Sequence, residues 1–89
     1  MIGTTAEGLV KRKINQLLNK YADLYFYMPV PYGYGPSSLD YIICLGGNFV
    51  AIEAKAPGKE PTPRQLEIIR RIRLAGGKVF IIDGTAETN

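Results

Sequence analysis

The sequence predicts an α/β domain of order αβββαβ, with a mixed central sheet flanked by helices. Three observations carry that prediction. An opening stretch repeats its apolar residues at helical spacing, four short β-prone runs follow, and a second amphipathic stretch lies between the third and fourth runs. A helix joining two strands of one sheet is a crossover and sets those strands parallel or nearly so, whereas a two-residue turn between runs makes an antiparallel hairpin. The 89 residues make a single domain, with no repeat, linker or second domain. A chain of this size buries only about two-thirds of its unfolded surface, so a second copy as partner would be unsurprising.

Taken in order, Thr4 and Glu7 have the spacing of a capping box. Leu9, Val10, Ile14, Leu17, Leu18 and Tyr21 then recur at helical intervals, predicting a helix from about Thr5 to about Lys20. Lys11, Arg12, Lys13 and Lys20 fall mostly on its solvent side. Glu7 has two readings, as the reciprocal partner of the cap or as a carboxylate reaching a metal site. Leu24 to Met28 (LYFYM) is a short first strand. The loop PVPYGYGPSS holds three prolines and two glycines, which exclude helix and inner strand. Its Tyr32 and Tyr34 either offer stacking faces to unpaired bases or close over a sheet edge.

The stretch Leu39 to Lys55 reads as a hairpin of Leu39–Leu45 and Phe49–Lys55. With a two-residue Gly46-Gly47 turn, Leu45 pairs with Asn48 and Asp40 sits directly opposite Glu53, with Lys55 a diagonal neighbour on that face. A three-residue turn would instead set Asp40 opposite Ala54. Tyr41, Ile43 and Leu45 share one face and Asp40, Ile42 and Cys44 the other. Both faces are apolar, as for inner strands covered on two sides. Cys44 reads as a buried small hydrophobe. Thr62 caps the second helix, Pro63 takes its first position and Gly76 stops it. Its apolar positions are Leu66, Ile69, Ile72 and Leu74. Arg64, Arg70, Arg71 and Arg73, with only Glu67 to balance them, read either as a solvated face or as phosphate contacts. Lys78 to Asp83 is a further buried strand, and the tail GTAETN follows.

Composition narrows the chemistry. A net charge of +3 and a pI near 9.1 permit an anionic partner such as nucleic acid. One cysteine and no histidine exclude an internal disulfide, a zinc–thiolate cluster and imidazole ligands. Any metal must be held by oxygen, which points to magnesium, manganese or calcium. No apolar run reaches the roughly 18 residues of a membrane span and the start lacks a signal-peptide layout, so the expected location is intracellular. Like charges directly opposed in a sheet are destabilising. A divalent cation between Asp40 and Glu53 would favour both ionised carboxylates at once, and a plain surface salt-bridge cluster with Lys55 is the competing reading. A sugar-cleaving pair is a third, but so small and basic a chain has little room for a sugar cleft and leaves Lys55 unexplained.

Asp40 followed after a hairpin by Glu53-Ala54-Lys55 resembles the D…ExK arrangement of the PD-(D/E)XK nuclease superfamily. More narrowly, GPSSLDYI, AIEAK, Thr62-Pro63-Arg64-Gln65 and AGGKVFII are similar to the VRR-NUC (virus-type replication-repair nuclease) domain in its minimal stand-alone form, from Glu7 to about Asp83. The resemblance implies a restriction-endonuclease-like core and a metal-dependent deoxyribonuclease. Asp40 and Glu53 would bind Mg2+ or Mn2+ with the Ala54 carbonyl, and Lys55 would position the attacking water. Gln65 would match the family's helix glutamine and Glu7 the acidic residue of its first helix. Leu39-Asp40 stands where the family has Pro-Asp. A homodimer acting on branched or junction DNA is the implied assembly, with Arg64, Arg70, Arg71, Tyr32 and Tyr34 as candidate DNA contacts. A catalytically silent nucleic-acid-binding module with the same fold is the alternative.

Overall fold

The structure, a computed structural model, describes residues 5–30 and 38–84; Tyr32 and Tyr34 lie outside them. Two helices and four strands follow the predicted order: α1 (Ala6–Leu18), β1 (Leu24–Tyr27), β2 (Tyr41–Leu45), β3 (Asn48–Ala54), α2 (Pro63–Leu74) and β4 (Lys78–Ile82). The strands form one sheet in chain order, antiparallel from β1 to β3 and parallel between β3 and β4. The α2 crossover therefore does what its position predicts.

Gly46 and Gly47 both have positive φ (58° and 82°), the backbone of the tight hairpin turn whose twist matches that of the strands. Leu45 pairs with Asn48 and Tyr41 with Ile52, so the two-residue turn is the correct one. Strand alternation then separates two cores. On one face Val10, Ile14 and Leu18 of α1, spaced by four, bury against Tyr41, Ile43, Val50, Ile52 and Ala54. On the other, Ile69 of α2 buries against Leu39, Ala51 and Val79. Full burial of such aliphatic side chains is worth roughly 1.5–3 kcal/mol each. Gly77 lets α2 turn sharply into β4: a Cβ there would stand 2.7 Å from Ile72 Cγ2 and 3.0 Å from Phe49 Cδ1.

Four local expectations are corrected. The N-cap of α1 is Thr5, whose hydroxyl accepts from the Gly8 amide at 3.0 Å. That frame puts Gly8, not Glu7, three residues after the cap, so Glu7 is not its reciprocal partner; it lies in the first turn, where the helix dipole favours a carboxylate. Lys11 does not simply face solvent but leans toward the sheet. β2 begins at Tyr41 rather than Leu39, because the chain bends at Asp40 and Leu39 joins the α2 core instead of following Tyr41 onto the α1 face. Cys44 is exposed, since α2 covers the β3–β4 half of its face and leaves the β1–β2 half bare. Among the described residues, no helix is long and apolar enough to cross a membrane.

Candidate active site

At the carboxyl end of β3 the ladder to β2 has run out, and side chains take over. The Ala54 amide donates to Asp40 Oδ2 at 2.9 Å, and the Asp40 amide donates to Glu53 Oε1 at 3.3 Å. Asp40 and Glu53 thus meet across the end of the hairpin, as the register predicts, each carboxylate held by the other strand's backbone. The bend adds something that alternation could not foretell. The Asp40 carboxylate also reaches α1, where its Oδ1 stands 3.5 Å from Lys11 Nζ. An extended residue sends its N–H and C=O to the same side, so the Ala54 carbonyl leaves β3 on the side of Asp40.

Glu53 is the buried charged residue of the described chain, only 3% exposed. Burial, and after it the Asp40 charge, push its carboxyl up to about 7, against the lowering pull of Lys55 and the Asp40 amide. Lys55 Nζ lies 3.7 Å from Glu53 Oε2, itself mostly buried. The same oxygen accepts from Gln65 Nε2 at 2.8 Å. Gln65 has a second task. Its Oε1 accepts from the Thr62 amide at 2.9 Å while its own amide donates to Thr62 Oγ1 at 3.2 Å, completing a capping box. Because a backbone N–H can only donate, the cap fixes which end of the Gln65 amide is oxygen, and the NH2 is left to face Glu53. One side chain starts the helix and orients the carboxylate.

Glu7 is brought to the site through Lys11, whose Nζ is 3.4 Å from Glu7 Oε2 one turn earlier on α1. Tyr41, fully buried, donates its hydroxyl to the Lys11 carbonyl at 3.1 Å. Burial, then the Asp40 charge, push that phenol up to about 12, so it stays a donor at any ordinary pH. Lys11 is the residue that sequence reasoning misplaced. Its four-residue spacing from Glu7 was available as a signal, but contact with Asp40 depends on how α1 crosses the sheet.

The arginines are less concentrated than their number suggests. Arg64, Arg70 and Arg71 are exposed. Arg70 is held by Glu67, with Nη2 2.6 Å from Oε2; this contact lowers the Glu67 carboxyl and raises the guanidinium. Arg73 Nη2 donates to the Val79 carbonyl at 3.1 Å. At about 100° per residue, Arg64 and Arg71 share a side of α2 well removed from Ile69. Gln65 faces the carboxylates.

Among the described residues, no group of three or more acidic, histidine or cysteine side chains is placed to enclose a metal ion. The donor set present is two carboxylates and a carbonyl, all hard oxygen. Such a set suits magnesium, which is commonly held by one or two carboxylates while water and substrate phosphate fill the other positions. The fit rests on those oxygens, not on a closed cage. No protein-family model matches the chain, and no curated protein is found as its relative.

Proposed function

We propose that this chain is a metal-dependent DNA endonuclease of the VRR-NUC type in the PD-(D/E)XK superfamily. The observation that carries the reading is Glu53: a buried carboxylate held together by Gln65, Lys55 and the Asp40 amide, beside a second carboxylate. A surface salt-bridge cluster would not bury its acid or spend a helix-capping glutamine on orienting it. Asp40 and Glu53 would hold Mg2+ or Mn2+ with the Ala54 carbonyl. A cation there would supply water activation and charge neutralisation at the phosphate. Lys55 would add a fixed positive charge where negative charge builds in the transition state. Arg64 and Arg71 would contact the DNA backbone, together with Arg70 when it leaves Glu67 and with Tyr32 and Tyr34 through stacking. Branched or junction DNA is the proposed substrate.

A homodimer belongs to the same proposal. The bare β1–β2 half of the α2 face, with the start of β3, forms an apolar groove lined by Tyr25, Tyr27, Ile42, Cys44, Asn48 and Phe49, with no charged side chain among its lining residues. An uncharged apolar groove suits a second copy of the same groove better than a phosphate backbone.

The test is incubation of end-labelled four-way junction, flap and linear duplex DNA with Mg2+ or Mn2+, using wild type and Asp40→Asn. Cleavage by wild type alone is expected, with the junction or flap preferred. Lys55→Ala should slow cleavage more than it weakens binding. If DNA is bound but never cut, the chain is a silent nucleic-acid-binding module. One feature favours that second reading: Lys11 and Lys55 already compensate much of the carboxylate charge.

A further inference from the structure

Lys11 stands between two carboxylates on different elements, 3.4 Å from Glu7 on α1 and 3.5 Å from Asp40 before β2. Both distances exceed the roughly 2.7–2.9 Å of a charge-assisted hydrogen bond, so these are loose ionic contacts rather than a tight clamp. The Asp40 atom it faces is Oδ1. The other oxygen, Oδ2, is already tied to the Ala54 amide, which leaves Oδ1 as the oxygen of Asp40 best able to turn to a cation. The lysine's backbone is anchored by the buried Tyr41 hydroxyl, while its four-carbon stem allows the ammonium to move. An anchored backbone with a loosely held head suits a group that must vacate its place and return to it.

We propose that Lys11 is the resident counter-ion of the site: its ammonium must leave Asp40 before Asp40 can ligate a divalent cation, and it thereby sets the metal affinity. This rests on the metal-dependent reading above. Lys11 is thus a positioning residue that holds Glu7 and Asp40 together and weakens metal binding by competing for Asp40.

The experiment is calorimetric titration of Mn2+ into wild type, Lys11→Met, Lys11→Arg, Lys13→Met and Asp40→Asn, with no DNA present. Thermal unfolding of each protein, in chelator and in Mn2+, accompanies it. Lys11→Met should bind Mn2+ roughly two- to five-fold more tightly, since the incoming cation no longer has to break the partly exposed Lys11–Asp40 pair. It should melt earlier than wild type in chelator and regain the difference in Mn2+. Lys13→Met removes the same charge from an exposed position of α1 and should bind like wild type. Lys11→Arg, whose planar fork suits carboxylates better, keeps the charge and should bind metal more weakly. Weaker binding by Lys11→Met, or an equal gain in Lys13→Met, overturns the role of Lys11 and leaves the metal site standing. If neither wild type nor Lys11→Met binds Mn2+, or Asp40→Asn binds as well as wild type, the metal-dependent reading falls and this inference with it.

Discussion

The α2 face of the sheet has two halves built from the same alternation with opposite outcomes. On β3 and β4, Ala51 and Val79 disappear beneath Ile69, and Glu53 is carried under the same helix. On β1 and β2, Tyr25, Tyr27 and Cys44 point the same way and stay exposed, Tyr25 at 70%. What differs is the cover. A twelve-residue helix is narrower than four strands at nearly 5 Å spacing, so it dries one half of the face and leaves the other open. The dry half is where a carboxylate can be desolvated and its protonation tuned; the open half is where a partner can dock. Burial and exposure are thus divided across one surface, and the proposed chemistry and assembly with them.

The largest expected effect breaks the comparison directly. Ile69→Ala should cost about 2–5 kcal/mol in urea unfolding at every protein concentration, because it empties a closed core site. Tyr25→Ser with Tyr27→Ser should cost about 1 kcal/mol or less in dilute protein, and should abolish any dependence of the midpoint on concentration. If that dependence survives in the double variant, the bare half is not the dimer surface.

The next effect sharpens the chemical half. Between about 4.5, the ordinary value of the Glu53 carboxyl, and about 7 in the folded protein, the native state holds a proton that the unfolded chain has released. Stability measured in chelator should therefore fall as pH rises through that window, by on the order of 3 kcal/mol. Glu53→Gln should flatten the profile. A wild-type profile that is already flat would mean that Glu53 is not desolvated in solution.

Gln65 ties the two roles of α2 together, and its variants should separate them. Gln65→Ala keeps the Thr62 N-cap but loses the acceptor of the Thr62 amide and the Glu53 hydrogen bond, and should cost about 1–3 kcal/mol. Gln65→Glu keeps an acceptor for the Thr62 amide but sets a carboxylate against Glu53, so its cost should be small at pH 5 and larger at pH 8. Equal cost at both would show that the cap alone matters.

The smallest effect is kinetic. Cys44 should react with a thiol reagent in the dilute native protein at a rate near that of the unfolded chain, and should be protected at concentrations where the groove is covered.

Much of this was legible in the sequence, for local reasons. Element order followed from periodicity and the α2 start from Thr62 and Pro63, while the two glycines suited a two-residue hairpin turn without excluding a three-residue one. Since register fixes which residues oppose each other, the meeting of Asp40 with Glu53 was legible for a two-residue turn, and the structure has that turn. What escaped depended on neighbours far along the chain. Cys44 was expected to be buried because alternation shows which face a residue takes, not whether a helix lies over it. Thr4 was read as the cap, with Glu7 as its partner in one of two readings, because two adjacent threonines could each serve, and the choice of Thr5 shifts the frame by one residue.

The sequence by itself thus determined the elements and their order, because hydrogen-bonded periodicity acts over a few residues, and it narrowed the residue opposite Asp40 to Glu53 or Ala54. Only the tertiary structure decided that the chain bends at Asp40, that Lys11 crosses from α1 to meet it, and that half of one sheet face stays bare. Those outcomes depend on where two helices of fixed width come to rest on a four-stranded sheet, and that is set by packing the whole chain at once.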